Sequence, residues 1–281
     1  MYLIASTKLR KAKSELDNTR PYFDFLRGEI KRIFRTVSDI ESIYFYPASG
    51  EHDLHGAYGY LVITADKGLA GAYNQNVIKE AARLMDMHDD NKLFVVGEYG
   101  RQSYNAHHIP IEQSFLYTAQ NPTLHRAREI CEILLRMFEE GELKKIYVIY
   151  TDFKNGLNTR AVSTRILPFH RSHFVTDAVE KEVHNPFEFM PDIRTVLDNI
   201  IPSYVVGFVY SALVDSFCSE QNARMTAMDS ANKNSQKLLE ELSVQYNHIR
   251  QSAITQEITE ITAGAKAQKL RAAAQDQRRT P

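Results

Sequence analysis

A long stretch without helix-breaking residues constrains this chain more than any other feature. Between Gly207 and Gly264 there is neither a glycine nor a proline. A continuous helix over this stretch would be roughly 80 Å long. The usual globular helix has about 8 to 20 residues. A helix of this length needs a partner to cover its apolar side chains.

An apolar seam runs along this stretch with the alternating spacing of three and four residues that is typical of coiled coils. The seam consists of Met225, Met228, Asn232, Ser235, Leu239, Leu242, Tyr246, Ile249 and Ala253. Beyond the seam, a neighbouring stripe continues through Ile254, Ile258, Ile261 and Ala265. This pattern predicts a helix that packs against a second helix.

The N-terminal part of the chain carries a matching pattern. The same alternation is kept by Ala5, Leu9, Ala12, Leu16, Thr19, Phe23, Leu26, Ile30, Ile33, Val37 and Ile40. Pro21 interrupts the hydrogen-bond ladder without changing the register of the stripe. We therefore predict an antiparallel two-helix coiled coil of the N- and C-terminal helices, with a left-handed supercoil. Two ordinary long helices packed on a globular core are the alternative.

The middle of the chain predicts a Rossmann-like α/β domain inserted between the two helices. Residues 58–64, 92–97 and 144–153 are β-branched and aromatic runs of the kind that form buried parallel strands. Two amphipathic helices separate them, and Asn121-Pro122 begins the second one. The helices have apolar faces made of Val77, Ala81, Leu84 and Met85, and of Ile130, Ile133, Leu134 and Met137. A turn at 155–158 leads into an antiparallel edge strand.

These patterns divide the chain into three parts. We expect an N-terminal coiled-coil helix over residues 1–50 and the α/β domain over residues 55–200. The C-terminal helix with a polar tail then covers residues 203–281, after Pro186, Pro191 and Pro202 have punctuated a weakly patterned segment.

The connection after the first predicted strand, residues 62–76, has the strand, glycine loop and helix of a phosphate-binding turn. It contains only Gly68 and Gly71, whereas a dinucleotide fingerprint needs G-x-G-x-x-G. A P-loop needs a lysine after its second glycine, and here Lys67 precedes the first. The pattern indicates a tight connection whose glycines supply backbone freedom. A nucleotide-binding α/β domain with a coiled-coil arm is the alternative function.

No catalytic or metal-binding motif emerges from the sequence. The H-x-x-H pairs His52/His55 and His170/His173 have no matching second pair or cysteine, and Asp89-Asp90 fits a solvated turn. The cysteines, Cys131 and Cys218, suit a reducing compartment and do not have the spacing of metal ligands. We therefore expect no catalytic residue, no metal and no cofactor.

The net charge and the hydropathy of the chain limit the kinds of partner that it is expected to bind. A formal net charge of -1 gives no argument for nucleic acid. No apolar run of about 18 residues is evident, so any membrane role is expected to pass through a partner. The first helix carries a basic cluster, Lys8, Arg10, Lys11 and Lys13. This cluster is either a solvated face or a contact for an acidic partner.

Three motifs, in the expected order, resemble the gamma subunit of F-type ATP synthases. The runs "SEQNARMTAMDSANKN" (219–234) and "YNHIRQSAITQEITEITAGAKA" (246–267) are similar to its C-terminal helix. The family pattern I-T-x-E-x-x-E-x-x-x-G-A is carried by Ile254, Thr255, Glu257, Glu260, Gly264 and Ala265. "IASTKLRKAK" and "TRPY" (19–22) resemble its first helix, and "TADKGLAGAYN" (64–74) resembles its T-[SD]-D-[RK]-G-L-x-G-x-[FY]-N turn. The family's first helix begins several turns earlier, so Met1 indicates an upstream start, trimming or a shortened variant.

This resemblance implies a function. Members of the family are the non-catalytic central rotor shaft, and their α/β domain is credited with no nucleotide site. Their partners are the alpha and beta subunits, the epsilon subunit and the c-subunit ring, whose proton-driven rotation is coupled to ATP synthesis or hydrolysis. Contact with the membrane is only through the ring. The location would be the cytoplasmic face of a bacterial membrane, or the inner mitochondrial membrane in a eukaryote. A gamma-like scaffold that does not rotate is a further alternative.

The resemblance also implies roles for particular residues. Contact with the beta subunits is implied for Arg250, Gln251, Thr255, Glu257, Lys8, Arg10 and Lys11. Tyr204 matches a tyrosine at the ring contact, and Val206 stands where some members carry an acidic residue. The coiled-coil seam is represented by Leu9, Leu16, Leu26, Met225, Met228, Leu239, Leu242 and Ile249.

Overall fold

A computed structural model describes residues 2–36, 42–46, 54–116, 118–155, 158–170, 190 and 192–277. The chain divides into two compact units, unit 1 (Met1–Met228) and unit 2 (Asp229–Pro281). The elements in chain order are α1 (Tyr2–Thr36), β1 (Ala57–Ile63), α2 (Tyr73–Met85), β2 (Asn91–Val96), α3 (Glu98–Ala106), β3 (Gln113–Phe115), α4 (Leu124–Glu139), β4 (Leu143–Asn155), β5 (Asn158–Leu167) and α5 (Ile193–Gln277).

Unit 1 contains a five-stranded sheet in the order β3-β2-β1-β4-β5. β1 pairs in parallel with both β2 and β4, and β2 pairs in parallel with β3. β5 pairs antiparallel with β4 at the edge. The prediction of an α/β domain with parallel strands and an antiparallel edge strand is therefore confirmed.

The two faces of the sheet bury separate apolar clusters. Because side chains alternate along a strand, Leu61 and Ile63 of β1 pack on the side of α4 and α5, whereas Tyr60 and Val62 pack on the side of α2. α4 begins two residues later than predicted. Thr123 is its N-cap, and the Thr123 side chain accepts a hydrogen bond from the backbone N–H of Arg126.

Helix α1 packs antiparallel to the part of α5 that belongs to unit 1. The ring of Phe23 lies 6.4 Å from that of Tyr210, and at the other end Lys8 lies near Glu220. The buried apolar residues of α1 occupy seam positions. They are Ala5, Ala12, Leu26, Ile30 and Ile33, while Leu9 is partly buried and the Leu16 side chain lies outside the described residues.

One glycine of α5 is required by this packing. A Cβ atom added to Gly207 would clash with Cδ1 of Phe23. The aromatic ring of α1 therefore occupies the space that a side chain at position 207 would need. Gly207 allows the two helices to approach closely at this level.

Helix α5 begins at Ile193, before the predicted boundary at 203. Asp192 precedes it, and its Oδ1 accepts a hydrogen bond of 2.9 Å from the backbone N–H of Thr195. Pro202 lies inside the helix instead of preceding it. α1 ends at Thr36. The rest of the predicted N-terminal helix, to residue 50, is described only over residues 42–46, which are not helical.

The seam residues of α5 fall into two groups. Met225 and Met228, in unit 1, are partly buried. In unit 2, Leu239 is 66% exposed, Leu242 is 51% exposed and Ile249 is 68% exposed. The expected burial of these three residues is therefore not found in the chain itself.

The hydropathy of α5 corrects one expectation. By length and composition alone, an 18-residue window of this helix is apolar enough to cross a membrane, with a mean hydropathy of 1.5. The sequence shows no unbroken apolar run because serines and tyrosines are interspersed. More than half of the window, 56%, is buried inside the protein, as in the core helix of a folded domain.

Candidate functional site

Protein side chains fill the position at which a sheet of this kind would bind a ligand. β1 lies between β2, which follows it in the chain, and β4, so the connections diverge at the carboxyl ends of β1 and β4. Open α/β sheets bind ligands in the crevice at such a point. Here Tyr73 is buried with Ala65 and Ala70, and Ala223 of α5 packs against them.

Helix α5 is fixed to the end of β4 by hydrogen bonds. The Ser216 hydroxyl accepts a bond of 3.2 Å from the backbone N–H of Thr151. The Ser219 hydroxyl donates a bond of 3.3 Å to the carbonyl oxygen of the same residue. Burial raises the pKa of Tyr73 well above its usual range. The nucleotide-binding alternative therefore has no open crevice at this point of the described structure.

The glycine loop, residues 64–74, is a scaffold connection. Leu69 and Gly71 both have positive φ angles, of 63° and 55°, which explains the glycine at position 71. The Asn74 side chain closes the loop by accepting a bond of 2.9 Å from the backbone N–H of Ala65. Leu69 is exposed at the surface of the loop. The prediction that a glycine here supplies backbone freedom is confirmed at Gly71.

Arg224 of α5 connects the glycine loop to the helix. Its Nη2 atom donates to the carbonyl oxygens of Lys67 and Gly68, at 3.4 Å and 3.2 Å. The same guanidinium pairs with Glu220 at 2.5 Å, and both side chains are largely buried. Burial raises the pKa of Glu220, and the charge of Arg224 opposes this shift. The i,i+4 spacing of this pair is visible in the sequence, but its contact with the loop is not.

The residues implied for the beta-subunit contact lie in two regions. Arg250, Gln251, Thr255 and Glu257 share two turns of the exposed helix in unit 2. The Thr255 hydroxyl donates to the carbonyl oxygen of Gln251 at 2.8 Å, an ordinary bond within a helix.

The basic cluster of α1 lies in unit 1. Lys8, Arg10, Lys11 and Lys13 are exposed. Lys11 approaches Glu15 at 3.9 Å, and Lys8 lies near the buried Glu220. An exposed ion pair of this kind contributes little to stability. Because its side chains are exposed, the cluster presents its positive charge to the solvent.

Tyr204 lies in the wall of a cavity at the other end of unit 1. The cavity has a volume of about 280 Å³, and its lining consists of Arg27, Thr164, Arg165, Ile166, Phe169, Tyr204, Val205 and Phe208. The rings of Tyr204 and Phe169 are 5.7 Å apart. Burial raises the pKa of Tyr204, while the nearby Arg27 lowers it and Asp24 raises it. We call this feature the Tyr204 cavity.

The described residues contain no group of three or more histidine, cysteine, aspartate or glutamate side chains that could hold a metal ion. Cys131 and Cys218 are both buried. His170 stacks on Tyr46 at 4.2 Å, whereas His52 and His173 lie outside the described residues. Asp89 and Asp90 are exposed in the segment after α2.

Comparison with known proteins relates this chain to a family. The family model described as ATP synthase matches residues 1–268. The ATP synthase gamma chain of Caldanaerobacter subterraneus is 39% identical over 273 residues, which cover 94% of this chain and 92% of the relative. The gamma chain of Acetivibrio thermocellus is 38% identical over 274 residues, which cover 96% of this chain and 92% of the relative.

The fold agrees with a solved structure. A chain in the central stalk and c-ring of the Tetrahymena thermophila mitochondrial ATP synthase superposes with a TM-score of 0.61. It is 23% identical and covers 83% of this chain and 97% of its own length. At this level of identity the match shows a shared fold. The sequence matches go further and show that this chain belongs to the ATP synthase gamma chain family.

Proposed function

We propose that this chain is the gamma subunit of the central stalk of an F-type ATP synthase. In this function it belongs to a membrane-associated complex and has no active site of its own. Rotation of a proton-driven c-subunit ring turns the stalk, and the stalk acts on the catalytic hexamer of alpha and beta subunits.

Helix α5 is the observation that carries this proposal. One continuous helix, Ile193–Gln277, supplies core side chains to unit 1 and the whole described part of unit 2. Its first part is tied to the sheet through Ser216 and Ser219, and to the glycine loop through Arg224. A force applied to unit 1 therefore acts on a helix that continues into the exposed segment.

The exposed apolar stripe of unit 2 supports a shaft that works inside other subunits. Large apolar side chains stand exposed at successive turns, among them Leu239, Leu242, Ile249, Ile258 and Ile261. Soluble proteins rarely leave such a stripe uncovered unless it is an interaction surface. We assign the alpha and beta subunits as the cover of this stripe.

The polar residues beside the stripe provide the functional contact. Arg250, Gln251, Thr255 and Glu257 face beta subunits in this assignment, and the basic cluster of α1 faces acidic segments of the same subunits. A helix with different side chains on each face makes different contacts with each beta subunit. Such differential contact shifts each catalytic site between conformations of different nucleotide affinity.

Unit 1 also carries the surface that we assign to the rest of the rotor. We assign the Tyr204 surface to the c-subunit ring and the adjacent part of the α/β domain to the epsilon subunit. The chain then reaches the membrane only through the ring. A bacterial chain would lie at the cytoplasmic face of the membrane.

Reconstitution tests this function. The purified chain is mixed with the alpha and beta subunits of the same organism, the complex is isolated by pull-down, and ATP hydrolysis is measured. We expect a stable complex whose hydrolysis rate exceeds that of the alpha and beta subunits alone. A complex that forms without any gain in hydrolysis would favour the non-rotating scaffold.

Calorimetry distinguishes the proposed function from the remaining alternative, a nucleotide-binding α/β domain. The purified chain is titrated with ATP and with NAD, and we expect no heat of binding because Tyr73 and α5 occupy the crevice of the sheet. Saturable binding of either nucleotide to the chain alone would support the nucleotide-binding function instead.

A further inference from the structure

A histidine of unit 1 lies in a cluster of aromatic and basic side chains. His88 follows α2, and its imidazole stacks on the Tyr58 ring with the ring centres 3.6 Å apart. The rings of Tyr60 and Tyr147 lie 6.2 Å and 6.3 Å from it. The Nζ atom of Lys144 lies 4.3 Å from the centre of the Tyr58 ring. The segment after α2 therefore contacts β1 and β4 through this imidazole, and we call the group the His88 cluster.

The hydrogen bond between Tyr60 and His88 requires a neutral imidazole. The Tyr60 Oη atom lies 2.5 Å from Nδ1 of His88 and 3.4 Å from the carbonyl oxygen of Leu84. Burial raises the pKa of the Tyr60 hydroxyl, which therefore keeps its proton and has to donate it. The Leu84 carbonyl already accepts a bond of 3.2 Å from the backbone N–H of Met87. The hydroxyl proton is therefore donated to Nδ1, and the proton of the ring is on Nε2.

The surroundings of His88 oppose a positive charge on its ring. Burial lowers the pKa of His88, and the ammonium groups of Lys145 and Lys144 lower it further. The Leu84 carbonyl and Asp89 act in the opposite direction without reversing the shift. The titratable groups that face His88 are Tyr58 and Tyr60 of β1, Lys144, Lys145 and Tyr147 of β4, and Asp89 of its own segment. Together they favour the neutral imidazole.

We propose that His88 makes the attachment of the C-terminal turn of α2 to the sheet dependent on pH. When Nδ1 takes up a proton from water, it can no longer accept the hydrogen bond of Tyr60. The new N–H and the Tyr60 hydroxyl then compete for the Leu84 carbonyl, at 3.2 Å and 3.4 Å. The imidazolium also lies close to the ammonium groups of Lys144 and Lys145. Protonation therefore loosens the contact between the end of α2 and β1, and this inference does not depend on the proposed function.

The pH range follows from the direction of the shift. The pKa of His88 is lowered in the folded chain, whereas an opened segment has the ordinary value of about 6.5. The opened segment therefore binds a proton at a higher pH than the closed one. The contribution of His88 to local stability is fully present above about pH 6.5 and is lost as the pH falls through the folded pKa.

Hydrogen exchange of the purified full chain, measured by mass spectrometry, tests this dependence. Protection factors, corrected for the intrinsic effect of pH on exchange, are compared at about pH 8 and pH 5.5. We expect the amides of residues 84–91 to lose protection by about threefold to tenfold at the lower pH. A single proton allows up to about tenfold at one unit below the ordinary pKa of histidine.

His88→Gln separates the histidine from other effects of pH. Glutamine still offers an acceptor to Tyr60 but cannot take up a proton, so residues 84–91 should keep the same protection at both pH values. His125→Gln is the matched control, because His125 is exposed on α4, which packs on the other face of the sheet. This control should respond to pH like the wild type. Unchanged protection of the wild type, or an equal loss in His88→Gln, would overturn the proposal.

Nuclear magnetic resonance of the imidazole nitrogens gives a second measure that needs no variant. We expect the Nε2–H tautomer of His88 at about pH 8, and a pKa in the folded chain below that of the same residue in urea. A proton on Nδ1 at this pH, or a folded pKa at or above the unfolded one, would overturn the proposal. Both measurements use the chain alone, so their failure is distinct from a failure of reconstitution with the alpha and beta subunits.

Discussion

The two parts of helix α5 share one backbone but differ in what surrounds them. In unit 1, Leu213 is 2% exposed and is surrounded by side chains of its own chain. In unit 2, Leu242 is 51% exposed although it occupies an equally regular apolar position. In one region, therefore, the leucine is covered by other side chains of the same chain. In the other region, under the proposed function, the leucine is covered by other subunits of the assembly.

This difference teaches how a regular apolar pattern should be interpreted. Spacing shows which side of a helix avoids water, but it does not show whether the cover comes from the same chain. The first part of α5 finds its cover in α1 and the sheet. The second part keeps the pattern without such burial in the chain.

A pair of leucine substitutions should give the largest contrast. We expect Leu213→Ala to lower the free energy of unfolding by about 2–5 kcal/mol, because it leaves a cavity in the core. Leu242→Ala should change it by less than about 0.5 kcal/mol, because the side chain already contacts water. Urea denaturation of the purified chain measures both. An equal cost for the two changes would mean that Leu242 is buried in solution, as the coiled-coil prediction held.

A pair of glycine substitutions should give effects of opposite sign. Gly207→Ala forces the Phe23 ring to move, and we expect overpacking to cost about 1–3 kcal/mol. Gly264→Ala has open space around its new Cβ atom and should stabilise its helix by about 0.5–1 kcal/mol. Thermal melting followed by circular dichroism measures the first change and helicity near 25 °C the second. A stabilising Gly207→Ala would contradict the close approach of α1 and α5.

Asp215 should make the stability of unit 1 depend on pH. Burial raises the pKa of Asp215 to about 7, the nearby carboxylate of Asp152 adds to this shift, and Arg20 opposes it. The folded chain therefore holds a proton between about pH 4 and 7 that the unfolded chain releases. Stability from this group is present below about pH 4 and is lost as the pH rises through 7.

Asp215→Asn removes this dependence. We expect the variant to be more stable than the wild type by about 1–2 kcal/mol at pH 8, with the advantage disappearing near pH 4. Asp229→Asn, on the exposed part of the same helix, is the control, and it should change stability by less than about 0.5 kcal/mol at either pH. A pH-independent effect of Asp215→Asn would show that the carboxyl is not shielded in solution.

The smallest effect is expected from the exposed polar residues, and it should appear only in the assembly. Arg250→Ala with Gln251→Ala should leave the melting of the chain unchanged and lower the ATP turnover of the reconstituted complex by about threefold to fivefold, which corresponds to less than about 1 kcal/mol. Gln236→Ala with Lys237→Ala serves as the control on the same helix. Wild-type turnover of the Arg250 and Gln251 variant would remove these residues from the proposed contact.

The sheet was predictable because its strands are strongly patterned. β1, β2 and β4 are runs of β-branched and aromatic residues, and the turn chemistry before β5 indicated its direction. β3 has three residues, too few for a period to show. α3 is short and polar with Gly100 inside it, and its position is fixed by tertiary contact, since the Thr64 side chain accepts a hydrogen bond from the backbone N–H of Gly100.

The candidate site could be predicted only where it follows local sequence. Arg250 and its neighbours were singled out through a motif, and the seam of α1 through its spacing. Arg224 was missed because its loop contact joins residues that are far apart in the chain. The cations of the Tyr204 cavity were missed for the same reason, since Arg27 and Arg165 come together only in the folded protein. Long-range packing of this kind leaves no periodic signal in the sequence.

The hydrogen bonds between Thr151 and the two serines of α5 have a mechanical consequence. The hydrophobic effect is not directional, so apolar contact fixes the angle of a helix about its own axis only through the shapes of the packed side chains. Ser216 and Ser219 bind the backbone N–H and the carbonyl oxygen of one residue in β4, Thr151, which fixes the angle of the helix about that axis. A torque applied to α5 is then transmitted to the sheet, because these bonds resist rotation of the helix against it. Elastic twisting is expected in the parts of the helix that lack such directional bonds.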